Sequence, residues 1–270
     1  MNEIDSRLSD GIHFDVPFEE YLLLPYMSQS TLKEGRRSMA HLLAAMDGDR
    51  VKVPTDDMVL GSALHTCFLE PDEAAKRIVV WTKGRRYGNL WKAFKAEHAG
   101  KVIITDNQQE QLSGMIASLR LHPEVARWVS GIQGVEVSAI GMVNGLRMRG
   151  RCDALTADPL IDLKKVSDGA TYKMLRTINE FGYDIQGSIY CRLFERERFM
   201  LICVEDAPPY DVIPYELSAA RLRKGRREAD ELIERVLECK ASGVWPGRAT
   251  APIMLDLQEW ETKNDIIFGE

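Results

Sequence analysis

The sequence predicts an α/β fold, a mixed central sheet flanked by helices, with a helical addition at the N-terminal end. Three observations carry that expectation. Strand-like stretches follow one another over 134–143, 146–155 and 160–165, and Asn144-Gly145 between the first two is a strong two-residue hairpin signal. Helix-like segments lie on either side of this block. With 270 residues, 45% hydrophobic and 28% charged, the chain can bury one large core or two small ones.

Taken in order, residues 1–26 read as irregular, with Pro17 and Pro25 punctuating Tyr21-Leu22-Leu23-Leu24. A helix is expected over about 30–45, with Ser28 or Ser30 as N-cap and Gly48 beyond its end. A second, over about 57–69, stops before Pro71. Residues 72–104 read as short strands mixed with a basic loop, Lys83-Gly84-Arg85-Arg86-Tyr87-Gly88. A helix over about 108–121 runs up to His122-Pro123, and a short one continues towards Val129. Beyond the three strands come helices at about 169–179 and 182–195 and strands near 199–205 and 210–216. A long helix from about 218 to 242 ends at Gly243. No internal repeat or low-complexity linker is visible. The reading is one domain: a helical extension (1–56), a core (57–217), and a C-terminal helix and tail (218–270).

The chemistry concentrates in Leu146 to Lys165. Period-2 alternation puts Arg147, Arg149, Arg151 and Asp153 on one face of their strand, opposite Leu146, Met148, Gly150, Cys152 and Ala154. On the next strand Asp162 and Lys164 point together, opposite Ile161 and Leu163. Unpaired charges on a buried strand cost several kcal/mol, so Asp-x-Lys there calls for a reason. Two carboxylates converging beside a lysine suit a hard divalent cation with an ammonium ready to meet an anion, which suggests metal-assisted phosphodiester cleavage. The bland alternative is a hairpin carrying a surface salt bridge.

Other residues are ambiguous singly. His65, in the apolar run Met58 to Leu69, could be a satisfied core histidine. Glu136 alone reads as the solvent side of an edge strand. Gln186 and Tyr190, at i and i+4, share a helical face.

The order His65, Glu136, Asp153, Asp162-x-Lys164, Gln186-x-x-x-Tyr190 resembles the PD-(D/E)xK nuclease superfamily in its RecB-like branch, most closely the nuclease domain of RecE-type exonucleases (exonuclease VIII). Met27-Ser28-Gln29-Ser30-Thr31-Leu32 is similar to that family's Ser-x-Ser-x-Leu helix start. Gly61 to His65 is similar to its Gly-x-x-x-His helix, and Gly182 to Tyr190 to its Gly-Tyr-Asp-x-Gln-x-x-x-Tyr segment. Leu255 to Trp260 resembles a degenerate terminal Leu-Pro-x-Trp, with Gln258-Glu259 where a proline is expected.

The resemblance implies a restriction-endonuclease-like fold. It assigns His65, Asp153, Asp162 and the Leu163 carbonyl to a metal, Mg²⁺ with Mn²⁺ able to substitute. Lys164 would act on the attacking water or on transition-state charge, with a pKa lowered by burial and the cation, and Glu136 would serve a second metal. Arg85, Arg86, Lys165, Gln186 and Tyr190 are the candidate nucleic-acid contacts, Gln186 and Tyr190 also ordering the strand and the metal ligands. The activity implied is ATP-independent digestion of linear double-stranded DNA ends, 5′ to 3′, leaving 3′ overhangs for a single-strand annealing partner, by a homotetramer ring. A structure-specific endonuclease, a helicase-associated nuclease of the same fold, and a non-catalytic DNA-binding protein remain alternatives.

Composition limits the rest. The five cysteines lack the C-terminal triplet that holds an iron–sulfur cluster in some RecB-like nucleases, and no Gly-x-x-x-x-Gly-Lys-[Ser/Thr] phosphate loop is present. No run reaches membrane length, the first residues are polar and acidic, and the scattered thiols suit a cytoplasmic protein. A net charge of −6 disfavours indiscriminate DNA coating, so local basic clusters must supply any phosphate contacts.

Overall fold

A computed structural model describes residues 8–48 and 54–255. The N-terminal part contains β1 (Gly11–His13), α1 (Phe18–Leu23), β2 (Met27–Ser28), α2 (Gln29–Lys33) and α3 (Met39–Met46). Then come α4 (Asp56–Leu69), α5 (Pro71–Arg77), β3 (Ile78–Trp81), α6 (Gly88–Glu97), β4 (Val102–Thr105), α7 (Asp106–Leu121) and α8 (Pro123–Val129). The chain continues through β5 (Ile132–Val143), β6 (Leu146–Thr156), β7 (Leu160–Val166), α9 (Thr171–Phe181), α10 (Tyr183–Leu193), β8 (Phe199–Glu205), β9 (Val212–Glu216) and α11 (Ala219–Ser242).

The central mixed sheet runs β1-β5-β6-β7-β8-β9, with β2 added beside β6. Its strands pair antiparallel except β7 with β8 and β2 with β6. Asn144 and Gly145 both take positive φ (46° and 82°), the geometry of the tight hairpin their sequence announced. Helices cover both faces. One core joins Leu32, Met148, Ile185, Phe199 and Leu232, uniting α2, α10 and α11 with the sheet. The other joins Leu64, Leu119, Val125, Leu163 and Met200 beneath α4, α7 and α8. Strands β3 and β4 form a separate parallel pair.

Strands β6 and β7 share a single register pair, Ala154 with Ile161, and then part. Further back along β6, Met148 and Arg149 are paired by the two residues of β2. The parting of β6 and β7 is where the acidic residues gather.

Three expectations need correction. The helix expected over 30–45 is broken: α2 closes in a 3-10 turn at Glu34–Arg36 and α3 starts afresh, with Ser38 accepting from the His41 amide. Gly35 makes the break tight, since a Cβ there would lie 2.8 Å from Met39 Cε and 3.1 Å from Leu232 Cδ2. Ser28, not Ser30, caps α2 by accepting from the Thr31 amide at 3.1 Å. Residues 72–104 hold two helices as well as strands; α6 forms because Trp91 and Phe94 pack on Trp81, with ring centroids 5.3 and 5.0 Å away. Residues 8–26 are also ordered locally, with α1 starting after Pro17 and stopping at Leu24 before Pro25. The motif at Leu255 to Trp260 lies outside the described residues beyond Leu255. Among the described residues, no helix is long and apolar enough to cross a membrane.

Candidate active site

Where β6 and β7 separate, the Leu163 amide donates to Asp153 Oδ2 at 2.6 Å, so the carboxylate bridges the opening strands. From the other direction, α4 delivers His65, whose Nδ1 lies 3.4 Å from the same oxygen. Its neighbours Ala63, Leu64 and Thr66 are buried in the core beneath, which fixes the helix and leaves His65 half-buried at the site. The His65 ring also bonds the Leu163 backbone. Burial, followed by the nearby Lys164 charge, lowers the His65 pKa and favours the neutral, ligand-competent ring. One turn earlier, a Cβ at Gly61 would meet no atom within 4 Å, so the approach beside His65 is open.

Glu136 lies across from Asp153, because Val135 pairs with Ala154 and Val137 with Cys152. It holds φ at +50°, a left-handed backbone that a non-glycine residue adopts at a cost. Its carboxylate accepts from Arg151 Nε at 2.8 Å. His65, Glu136 and Asp153 each offer a donor atom, and the three atoms lie within 4.8 Å of one another. Two carboxylates and an imidazole nitrogen suit a divalent cation that accepts oxygen and nitrogen ligands.

Asp162 is 2% exposed and faces α10. Gln186 Nε2 donates to its Oδ1 at 2.6 Å, and the Lys164 ammonium pairs with its Oδ2. Lys164 also sits 5.2 Å from the Tyr183 ring centroid. Burial and then the Asp162 charge hold the Asp153 carboxyl well above the usual carboxylate range. For Lys164, burial pulls the pKa down, but Asp162 and Asp153 outweigh it and the net shift is upward. Burial alone therefore does not lower Lys164 while both carboxylates face it. Of the ligand set expected, His65, Asp153 and Leu163 come together, Glu136 joins them, and Asp162 stands alongside with its oxygens engaged by Gln186 and Lys164.

A family described as a PDDEXK-like domain of unknown function (DUF3799) matches residues 28–252. The chain belongs to this family. The match supports the PD-(D/E)xK superfamily without singling out the RecE type within it. No curated protein matches the sequence. Among solved structures, a candidate exonuclease from Eubacterium rectale superposes with a TM-score of 0.63 at 15% identity, covering 96% of this chain and 100% of that one. At that identity the likeness establishes the fold. The protein SSO0001 gives a TM-score of 0.28 at 19% identity over 70% of this chain and 97% of that one, too low to carry an argument.

In this PDDEXK-like chain, several expected nucleic-acid contacts are occupied internally. Arg86 reaches Asp56, the Ile103 carbonyl at 3.3 Å and Gln108 Oε1 at 2.8 Å, stitching its loop to α4 and α7. Lys165 is enclosed by Asp57 Oδ1 at 2.5 Å and Asp206 Oδ2 at 2.6 Å. Gln186 serves Asp162, and Tyr190 is buried against Phe194, Phe199 and Gly150. Arg85 alone of this set is exposed. The arginine row on β6 is structural too. Arg149 Nη1 donates to the carbonyls of Tyr21, Leu22 and Leu24 at 2.5 to 2.9 Å, and Arg147 lies 4.5 Å from the Tyr26 ring centroid. Arg151 Nη1 donates to the Val16 carbonyl at 2.8 Å.

Sequence reasoning missed Lys33, on α2. Its Nζ donates to the Phe181 carbonyl at 2.7 Å, and its charge couples to Lys164 and Asp162. Nothing local in the sequence marks it, since Phe181 and Asp162 lie more than a hundred residues away.

Proposed function

We propose that this protein is a divalent-metal-dependent deoxyribonuclease that digests linear duplex DNA from its ends, 5′ to 3′ and without ATP, leaving 3′ overhangs. The observation that carries the nuclease reading is the convergence of His65, Glu136 and Asp153 beside the Asp162–Lys164 pair, at the parting of β6 and β7. Attack from an end, rather than within the chain, draws support from the resemblance to RecE-type sequences and from the candidate exonuclease sharing this fold. The same resemblance supports a homotetramer ring and a single-strand annealing partner.

His65, Glu136 and Asp153, with Asp162 at hand, would hold a divalent cation, which would supply Lewis-acid chemistry there; Mg²⁺ is the proposed ion, with Mn²⁺ as substitute. The chain's own residues do the rest. Asp162 is held in one rotamer by Gln186, and Asp153 is anchored by the Leu163 amide. The Lys164 ammonium, stacked on Tyr183, is placed to meet negative charge on the scissile phosphate. Arg85, like Lys83, is an exposed cation of the 83–88 loop and is available for substrate.

The test is incubation with Mg²⁺ and linear duplex labelled separately at each end, with closed circular duplex as control. Release of the 5′ label first, with the circle intact, is expected, and Asp162→Asn and Lys164→Ala should abolish it. Cutting of the circle would instead assign an endonuclease. Binding without cleavage in either Mg²⁺ or Mn²⁺ would assign a non-catalytic DNA-binding protein.

A further inference from the structure

Away from the metal-site residues, a cavity of about 340 Å³ is lined by Gly35, Arg36, Arg37, Ser38, Arg235, Gly247 and Arg248. Four arginines line this small space in a protein whose net charge is −6. Two of them are partly neutralised: Arg36 Nε lies 2.9 Å from Glu228, and Arg37 Nη1 lies 3.2 Å from Glu34. Arg235 and Arg248 are exposed and have no carboxylate partner among the described residues. Carboxylates are not scarce nearby. Glu231 and Glu238 stand one turn before and one turn after Arg235, yet they line a different depression with Asn144 and Arg227. The cavity is assembled from distant parts of the chain. The Ala40 amide donates to the Pro246 carbonyl at 3.1 Å, which brings Gly247 and Arg248 over the start of α3.

The cavity is also joined to the metal site by cations. Lys33 and Arg36 lie side by side against Gly182, where a Cβ would stand 2.7 Å from Lys33 Cδ and 3.3 Å from Arg36 Nη1. Lys33 donates to the Phe181 carbonyl and Arg36 to the Glu180 carbonyl, at 2.7 and 3.2 Å. Residues three apart on a helical turn are about 5–6 Å apart, so these side chains make consecutive steps. The Lys33 charge couples to Lys164, and beyond it Arg36 and Arg37 line the cavity with Arg235 and Arg248.

We infer that this arginine cavity binds a phosphate group, carried by the backbone of the nucleic acid as it leaves the metal site. The inference rests on the nuclease reading for the identity of the strand. Guanidinium forks match phosphate oxygens in a bidentate manner, and they carry no base information, so the contact is sequence-independent. It would hold the strand in register while Lys164 meets the scissile group.

The test uses duplex DNA binding in an Asp162→Asn background, so that affinity is measured without cleavage, across a salt series. Each phosphate contact contributes a slope of about −0.9 in log affinity against log salt. Removing two contacts with Arg235→Gln/Arg248→Gln should flatten the slope by about 1.8, so that between 50 and 200 mM salt the double variant loses about twelvefold less affinity than its parent. Arg235→Lys/Arg248→Lys, which keeps both charges, should restore most of the slope, and thermal melting of all three checks the fold. An unchanged slope in the glutamine variant would overturn the inference, as would an absence of duplex binding. Inorganic phosphate titrated into the unliganded protein forms a second arm. Phosphate binding abolished by the glutamine variant, with duplex affinity unaltered, would assign the cavity to a free anion and overturn the backbone contact. Failure of the nuclease reading is separable: a flattened slope in a protein that never hydrolyses DNA leaves the cavity standing, and hydrolysis with an unchanged slope does the reverse.

Discussion

Gln186 on α10 and Asp162 on β7 are joined by a 2.6 Å hydrogen bond between two buried side chains, the amide donating to Oδ1. The bond leaves Oδ2 to Lys164 and fixes which way the carboxylate faces. Partners of this kind orient metal-site groups, and their loss typically costs 10- to 100-fold in affinity or activity. Gln186→Leu keeps the side-chain volume but lets Asp162 turn. Its rate of linear-duplex hydrolysis should fall by about that factor, with the Mg²⁺ concentration for half-maximal rate rising. A wild-type metal titration in this variant would show that Gln186 only fills space.

Glu136 separates stability from activity. The residue stands at φ +50°, a conformation costing on the order of 1 kcal/mol outside glycine, and its carboxylate serves both Arg151 and the donor group around His65. Asparagine tolerates this backbone and can still accept a hydrogen bond, but it cannot supply a carboxylate. Glu136→Asn should therefore change stability by no more than about 1 kcal/mol, read by chemical denaturation, while hydrolysis drops by about two orders of magnitude. Retained hydrolysis would reduce Glu136 to a structural partner of Arg151.

Much of this geometry was visible beforehand, and what was hidden has a common cause. Alternation along Leu146 to Ala154 matches the observed burial residue for residue, and Asn144-Gly145 turns where it should, because both signals are local. The order of His65, Glu136, Asp153, Asp162 and Lys164 also survived folding as a cluster. By contrast, Arg86 and Lys165 looked like free cations because their partners, Asp56 and Gln108, Asp57 and Asp206, are remote in sequence. The β6 arginines share a strand face with Asp153, yet residues 16–26 lie over them. The broken helix at Ser38 depends on α11 pressing Leu232 against Gly35, which no window around residue 35 contains.

Gly61 offers a test of access. It sits inside α4, where glycine costs roughly 0.5–1 kcal/mol relative to alanine, and a Cβ there meets nothing within 4 Å. Gly61→Ala should raise stability by about that amount. Gly61→Leu adds bulk to the open space one turn from His65, so it should raise KM for linear duplex at least tenfold without lowering Tm. If both variants hydrolyse DNA like the wild type, substrate does not pass beside this turn of the helix.

Lys33 makes the pH dependence of stability testable. Burial lowers its pKa to about 8, and the Lys164 charge pushes in the same direction, against the opposing pull of Asp162. The folded-state value thus lies below the ordinary lysine value of 10.5. Below pH 8 the side chain is charged in both folded and unfolded protein, and the full penalty of holding that charge falls on the folded state. As pH rises from about 8 to 10.5 the folded protein releases its proton first, and the penalty disappears. Lys33→Met removes the penalty at every pH and also loses the hydrogen bond to the Phe181 carbonyl, worth about 1 kcal/mol. The difference in unfolding free energy, wild type minus variant, should therefore become more positive between pH 8 and pH 10.5, by up to a few kcal/mol on a linkage argument. Denaturation at pH 7, 8.5 and 10 reads this directly. A difference that stays flat across that range would mean that Lys33 titrates like an exposed lysine, and that its ammonium is not held in the low-dielectric surroundings of Lys164 and Asp162.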